Sequence, residues 1–168
     1  MKIKFFAIGG TIDKVYFDKK STYKVGEPGV YEILQDANVT FEYECESIIQ
    51  KDSLDMTKKD RKQVFNKIKA DSNRHIIVTH GTDTMVQTAK SLQSIKDKVI
   101  VLTGSMQPAR FKASDAEFNI GVAVAAVQAL PCGVYIAMNG RIFDPDKVKK
   151  NWEQNRFEEL PQEELMDK

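Results

Sequence analysis

Short apolar runs alternate with amphipathic stretches along most of this chain. Residues 3–8 are apolar apart from Lys4 and run into Gly9-Gly10, the pattern of a strand buried on both faces. Residues 12–26 are polar and mixed in sign, and read as one long connection; a loop of that length in a compact domain is usually functional or mobile. From about Pro28, the spacing of Val30, Ile33 and Leu34 predicts a helix. Residues 40–49 alternate as a strand does, and Asp55 or Thr57 is placed to cap a following helix that carries Val64, Phe65 and Ile68. Residues 75–79 predict a third strand, with Thr82 or Asp83 as the cap of a helix bearing Met85, Ala89 and Leu92. A fourth strand is predicted over 98–103, ending at Thr103-Gly104-Ser105. Asp115 opens a helix so rich in Ala and Val that its composition predicts deep burial, and residues 133–138 predict a fifth strand. The acidic run 158–165 reads as a solvated tail or a short terminal helix.

Strand and helix in repeated alternation define an α/β fold: a doubly wound, mostly parallel sheet with helices on both faces. Its crossovers are expected to be right-handed. In such sheets ligands bind at the carboxyl ends of the strands. The polar clusters of this chain fall at those ends: Thr11, Ser53 a little after its strand, Thr82-Asp83 and Ser105. We place one domain over residues 1–155, followed by an acidic tail or short helix over 156–168.

Composition narrows the picture mainly by exclusion. The 168 residues fit one domain, and 42% apolar content is enough for one core. A formal net charge of +1 gives no electrostatic argument for nucleic acid or an acidic membrane as partner. No apolar run is long enough to cross a bilayer, and the apolar part of residues 1–10 is too short for a signal peptide. Cys45 and Cys132 lie far apart without metal spacing, which predicts reduced thiols and a cytoplasmic protein. No His/Cys/Asp spacing predicts a metal site, and no motif calls for an organic cofactor.

Two strand-end turns carry the candidate chemistry. Gly9-Gly10-Thr11 suits backbone approach to a phosphate, but a dinucleotide site wants Gly-x-Gly-x-x-Gly leading straight into a helix, and here a polar loop follows. His80-Gly81-Thr82-Asp83-Thr84 crowds hydroxyls and a carboxylate where a helix begins. Asp83 on its own has a plain reading as an N-cap, worth about 1 kcal/mol. His80 completes no triad with any other residue and reads as a local hydrogen-bonder, and His75 reads as structural. Lys150 is not distinguished by spacing from Lys147 and Lys149, although a buried lysine can activate a hydroxyl.

Gly9-Gly10-Thr11-Ile12 and His80-Gly81-Thr82-Asp83-Thr84-Met85 resemble the two signature motifs of the bacterial-type L-asparaginase/glutaminase family. Tyr23-Lys24-Val25-Gly26 resembles its mobile-loop tyrosine segment, and Ser53-Leu54-Asp55-Met56 its substrate-binding segment. Gly104-Ser105-Met106-Gln107-Pro108, Ser114 to Asn119, and Met138-Asn139 followed by Lys150 also follow the family pattern. The resemblance implies an amidohydrolase of L-asparagine. Thr11 would be its nucleophile and Tyr23 that nucleophile's hydrogen-bonding partner on a closing loop. Thr82, Asp83 and Lys150 would form a second hydroxyl–acid–lysine group, with Asp83 also holding the substrate α-ammonium. Ser53 would hold the α-carboxylate, with Gly81 and Ser105 also against the substrate. Two departures stand out. The family normally carries a second, C-terminal domain beyond the residues matched here, which points to a homo-oligomer, most simply a dimer. Leu54 stands where many members have a carboxylate-binding glutamine. Two other function classes remain beside this one: a non-catalytic module that binds a small amino acid or a partner protein, and an amidase subunit that needs a partner chain.

Overall fold

In a computed structural model, which describes residues 1–16, 23–161 and 164 (the backbone alone at Tyr16, Tyr23, Lys24 and Val25), the five strands and four helices that the sequence pattern predicts occur in that order, with five further short strands among the described residues. They are β1 (Lys2–Ala7), β2 (Lys14–Tyr16), β3 (Tyr23–Val25), α1 (Val30–Asp36), β4 (Glu42–Ser47), α2 (Lys58–Ala70), β5 (His75–Thr79), α3 (Met85–Leu92), β6 (Val99–Thr103), α4 (Ala116–Ala129), β7 (Gly133–Met138), β8 (Arg141–Phe143), β9 (Val148–Asn151) and β10 (Arg156–Glu159). The main sheet has the order β4-β1-β5-β6-β7-β8. All its pairs are parallel except the last, β7 with β8.

The central strands are continuous apolar runs because both faces are covered. Along β5 and β6, Ile76, Val78, Ile100 and Leu102 face α2 and α3, where they meet Val64, Ile68, Met85, Ala89 and Leu92. Ile77, Val99 and Val101 face the other way, onto Val30, Ile33 and Leu34 of α1 and Ile120, Ala123 and Val127 of α4. Burying one such side chain stabilises by roughly 1.5–3 kcal/mol. A one-residue slip of β5 would exchange the residues of the two cores, so the register is strongly specified. The order of the chain reverses between β1 and β5: β4 lies on one side of β1, and all later strands of this sheet lie on the other. Such a reversal opens a crevice at the strand C-termini.

Local expectations also differ from the structure in places. The polar stretch 12–26 is not one structureless connection: Thr11–Asp13 form a 3-10 turn, and β2 pairs with β3 as a small antiparallel ribbon. Residues 156–159 are a strand paired with β9 rather than the start of a tail or helix. Phe157, 3% exposed, gives that strand an apolar anchor that an acidic-run reading overlooks. The helix α4 is only half covered: Ala123, Ala126 and Val127 are buried, while Phe118 is 63% exposed and Gly121 has open space above it. Asp115 heads α4 without capping it; its carboxylate instead accepts from the backbone N–H of Met106 at 2.9 Å and from Asn119 Nδ2 at 2.8 Å.

Candidate active site

Three turns meet at the crevice between β1 and β5. Gly9 and Gly10, at φ 82° and 102°, take a left-handed path that L side chains rarely adopt, and this swings the chain back over the sheet into Thr11. A methyl group added at Gly10 would overlap Cα of Gly81, so the β1 and β5 turns touch backbone to backbone. One added at Gly81 would fall 2.6 Å from Oγ of Ser53. Glycine at 10 and 81 is therefore what lets Thr11, Thr82 and Ser53 converge. Ser53, 2% exposed, heads a 3-10 turn held from two sides. Asp52 accepts from the backbone N–H of Leu54 at 3.1 Å, and the Thr84 hydroxyl donates to the Ser53 carbonyl at 2.8 Å. Lys14, just after the Thr11 turn, pairs with Asp52 at 2.9 Å and ties the first turn to the third. Leu54 itself is 66% exposed.

The start of α3 is the most informative local departure. Neither Thr82 nor Asp83 caps the helix: Thr84 occupies the cap position, with no side-chain bond to the helix end. Lys150 takes up both freed groups. Its Nζ donates to Thr82 Oγ1 at 2.8 Å and to Asp83 Oδ1 at 2.5 Å. The side chains of Lys150 and Asp83 are 9% and 21% exposed, so the pair is well shielded from screening. Lys150 sits on β9 directly opposite Phe157 of β10. The hairpin is bolted to the core by Val148 and Phe157 and to the β7–β8 turn by a bond from Phe157 N–H to Asn139 Oδ1 at 2.8 Å.

Other candidate residues take quieter places. His80 is buried, with Nδ1 2.7 Å from the Gly81 carbonyl and Nε2 2.8 Å from the Thr88 hydroxyl. A carbonyl only accepts, so Nδ1 carries the proton and Nε2 accepts from Thr88. Burial pulls the imidazole down to about 4, which keeps it neutral and makes it a spacer under the turn. Ser105 is 1% exposed, and its hydroxyl donates to the Gln107 carbonyl, clasping its own loop. Tyr23 opens β3, two residues before Val25, which pairs with Lys14; its side chain lies outside the described residues. Thr11 is half-buried at the head of its turn. Asp13, 3% exposed, accepts from the Gly29 N–H at 2.8 Å, and burial pushes its carboxyl up to about 6.

Sequence reasoning overlooked three contributors: Thr84 as a tether, the Lys14–Asp52 tie, and Trp152. The ring of Trp152 covers Lys150 Nζ at 4.3 Å from its centroid. The one available signal for Trp152 was its standing as the chain's single tryptophan, two residues from a candidate lysine.

These features define a doubly wound α/β domain whose switch-point crevice holds two threonines, one of them bonded to a lysine–carboxylate pair. A family model described as "Asparaginase, N-terminal" matches residues 2–166, and the chain belongs to that family. It is 34% identical over 166 residues to L-asparaginase 2 of Escherichia coli K12, covering 88% of this chain and 46% of that protein. It is 42% identical over 71 residues to a glutamyl-tRNA(Gln) amidotransferase subunit of Methanococcus vannielii, covering 41% of this chain and 17% of that one. Among solved structures, the thermostable L-asparaginase from Thermococcus kodakarensis superposes with a TM-score of 0.82 at 27% identity, over 95% of this chain and 51% of that one. The chain thus spans about half the length of these asparaginases.

Proposed function

We propose that this chain hydrolyses L-asparagine to L-aspartate and ammonia through a threonine acyl-enzyme. One observation carries the reading: Lys150, Thr82 and Asp83, which local rules would leave on a solvated strand and a helix cap, are turned onto one another at the strand ends. In this reading the Thr11 oxygen attacks the side-chain amide carbon, and its proton passes to the departing nitrogen. The C–N bond breaks and ammonia leaves. Water then attacks the resulting ester, which releases aspartate and restores the Thr11 hydroxyl. Thr82 and Lys150 relay protons, and Asp83 orients Lys150 and receives the substrate α-ammonium. Ser53 receives the α-carboxylate, and backbone N–H groups at Thr11 and Thr82 stabilise the oxyanion. Tyr23, on the ribbon, closes over Thr11. Gly81 supplies close backbone approach, and Ser105 supports the wall formed by its loop. We further propose a cytoplasmic homo-oligomer, most simply a symmetric dimer. Exposed Leu54, Phe118 and Trp152 near the strand C-termini favour an interface there, and the unpaired Cys45 and Cys132 favour a reducing compartment.

Ammonia release from millimolar L-asparagine is the test. Turnover is expected from the purified chain; folded protein that releases none overturns the reading. The likeness to an amidotransferase subunit supports a second reading, an amidase that acts only with a partner chain. Ammonia release that appears only when a co-purifying chain is restored would favour it.

A further inference from the structure

Val148, Lys150 and Trp152 alternate along one side of the β9–β10 hairpin and run from core to rim. Val148 is 3% exposed, the Lys150 side chain 9%, and Trp152 62%. Trp152 opens the turn 152–155, and that turn is held firmly. Asn151 Oδ1 accepts from the Gln154 N–H at 3.0 Å, Asn151 Nδ2 donates to Glu158 at 3.1 Å, and Asn155 takes a left-handed conformation at φ 49°. The indole is therefore delivered by an ordered hairpin. So large an apolar group, left this exposed, contributes little to the core. Its ring face nevertheless lies 4.3 Å from Lys150 Nζ. An ammonium has three N–H donors, and Thr82 and Asp83 use two of them. The electron-rich ring face supplies a third attractive contact.

We propose that Trp152 is a positioning residue: its ring holds the Lys150 ammonium against Thr82 and Asp83. The kinetic consequence rests on the amidohydrolase reading; the physical contact does not. Trp152→Leu keeps apolar bulk but removes the π face, whereas Trp152→Phe keeps a face. Because the side chain is mostly exposed, both variants should melt within a few degrees of the wild type. The Leu variant should lose about three- to tenfold in kcat with KM changed less than about twofold, and the Phe variant should recover most of that loss. Equal kcat in the Leu and Phe variants would overturn the proposal. A second measurement needs no turnover. Trp152 is the chain's single tryptophan, so emission excited at the red edge of the indole band, where the five tyrosines do not absorb, reports on it alone. Folded Lys150→Met protein should differ from wild type in emission intensity or wavelength at neutral pH, and superimposable spectra would overturn the contact. A wild type inactive on L-asparagine whose emission depends on Lys150 would count against the amidohydrolase reading and support the Trp152 contact.

Discussion

The two threonine turns solve different problems with similar residues. In the β5 turn each polar side chain from His80 to Thr84 has a partner: His80 holds Gly81 and Thr88, Thr82 and Asp83 meet Lys150, and Thr84 holds Ser53. The β1 turn is defined by backbone shape instead. Two left-handed glycines lead into a half-buried Thr11, and Asp13 anchors the end of the turn to Gly29. One turn is thus a fixed electrostatic pole. The other presents a hydroxyl at the mouth of a ribbon. A mechanism that must bind, acylate and release can use both, since preorganised charge stabilises the transition state while a closing segment admits substrate.

The sharpest way to break this comparison is kinetic. Thr11→Ala should lower kcat by more than about 10⁴-fold, and Lys150→Met by about 10²–10⁴-fold, as read by ammonia release. If the two turns serve one reaction, the double variant should be little worse than Thr11→Ala alone. Multiplying losses would mean that they act separately. A smaller effect falls on stability. Gly10→Ala must fit a methyl group against the Gly81 backbone at an unfavourable φ, and should cost about 2–4 kcal/mol in urea denaturation. Gly121→Ala, on the open face of α4, should stabilise by about 0.5–1 kcal/mol. Similar signs for both would refute the idea that the touching glycines set the site.

The smallest effect is in pH dependence, where the two turns pull in opposite directions. Burial holds His80 neutral down to about 4 against an ordinary 6.5, so over that window the unfolded chain binds more protons and stability falls as pH falls. Burial keeps Asp13 protonated up to about 6 against an ordinary 3.8, so there the folded chain binds more protons and stability falls as pH rises. Each contributes at most about 1.4 kcal/mol per pH unit, and between about pH 4 and 6 they offset one another. Asp13→Asn removes the falling slope. Its urea midpoint should therefore rise more steeply with pH across that window than the wild type's, and parallel curves would show that Asp13 does not titrate there.

Much of this architecture was legible in one dimension. Continuous apolar runs marked β1, β5, β6 and β7 because strands buried on both faces need no alternation. The cap of α2 was narrowed to Asp55 or Thr57, and Thr57 takes it because its partner, Asp60, is three residues away and the capping box is local. What escaped was decided by competition between local and distant partners. Asp115 and Asp83 both stand where a cap is expected, and both are drawn elsewhere, Asp115 to Met106 and Asn119, Asp83 to Lys150. For Asp83 a charged partner in a shielded place outweighs a cap worth about 1 kcal/mol, and for Asp115 the backbone N–H of Met106 and the Asn119 amide together replace the helix-end donor.

By itself the sequence determined the strands β1, β4, β5, β6 and β7, the four helices between them, and that hydroxyls cluster at strand ends. Those properties depend on neighbours a few residues apart. Only the tertiary structure decided that Lys150, and not Lys147 or Lys149, meets Thr82 across 68 residues of chain, and that the indole of Trp152 lies over it. The reason is the hairpin: alternation along β9 turns every second side chain inward, and the anchors Val148 and Phe157 select which set that is.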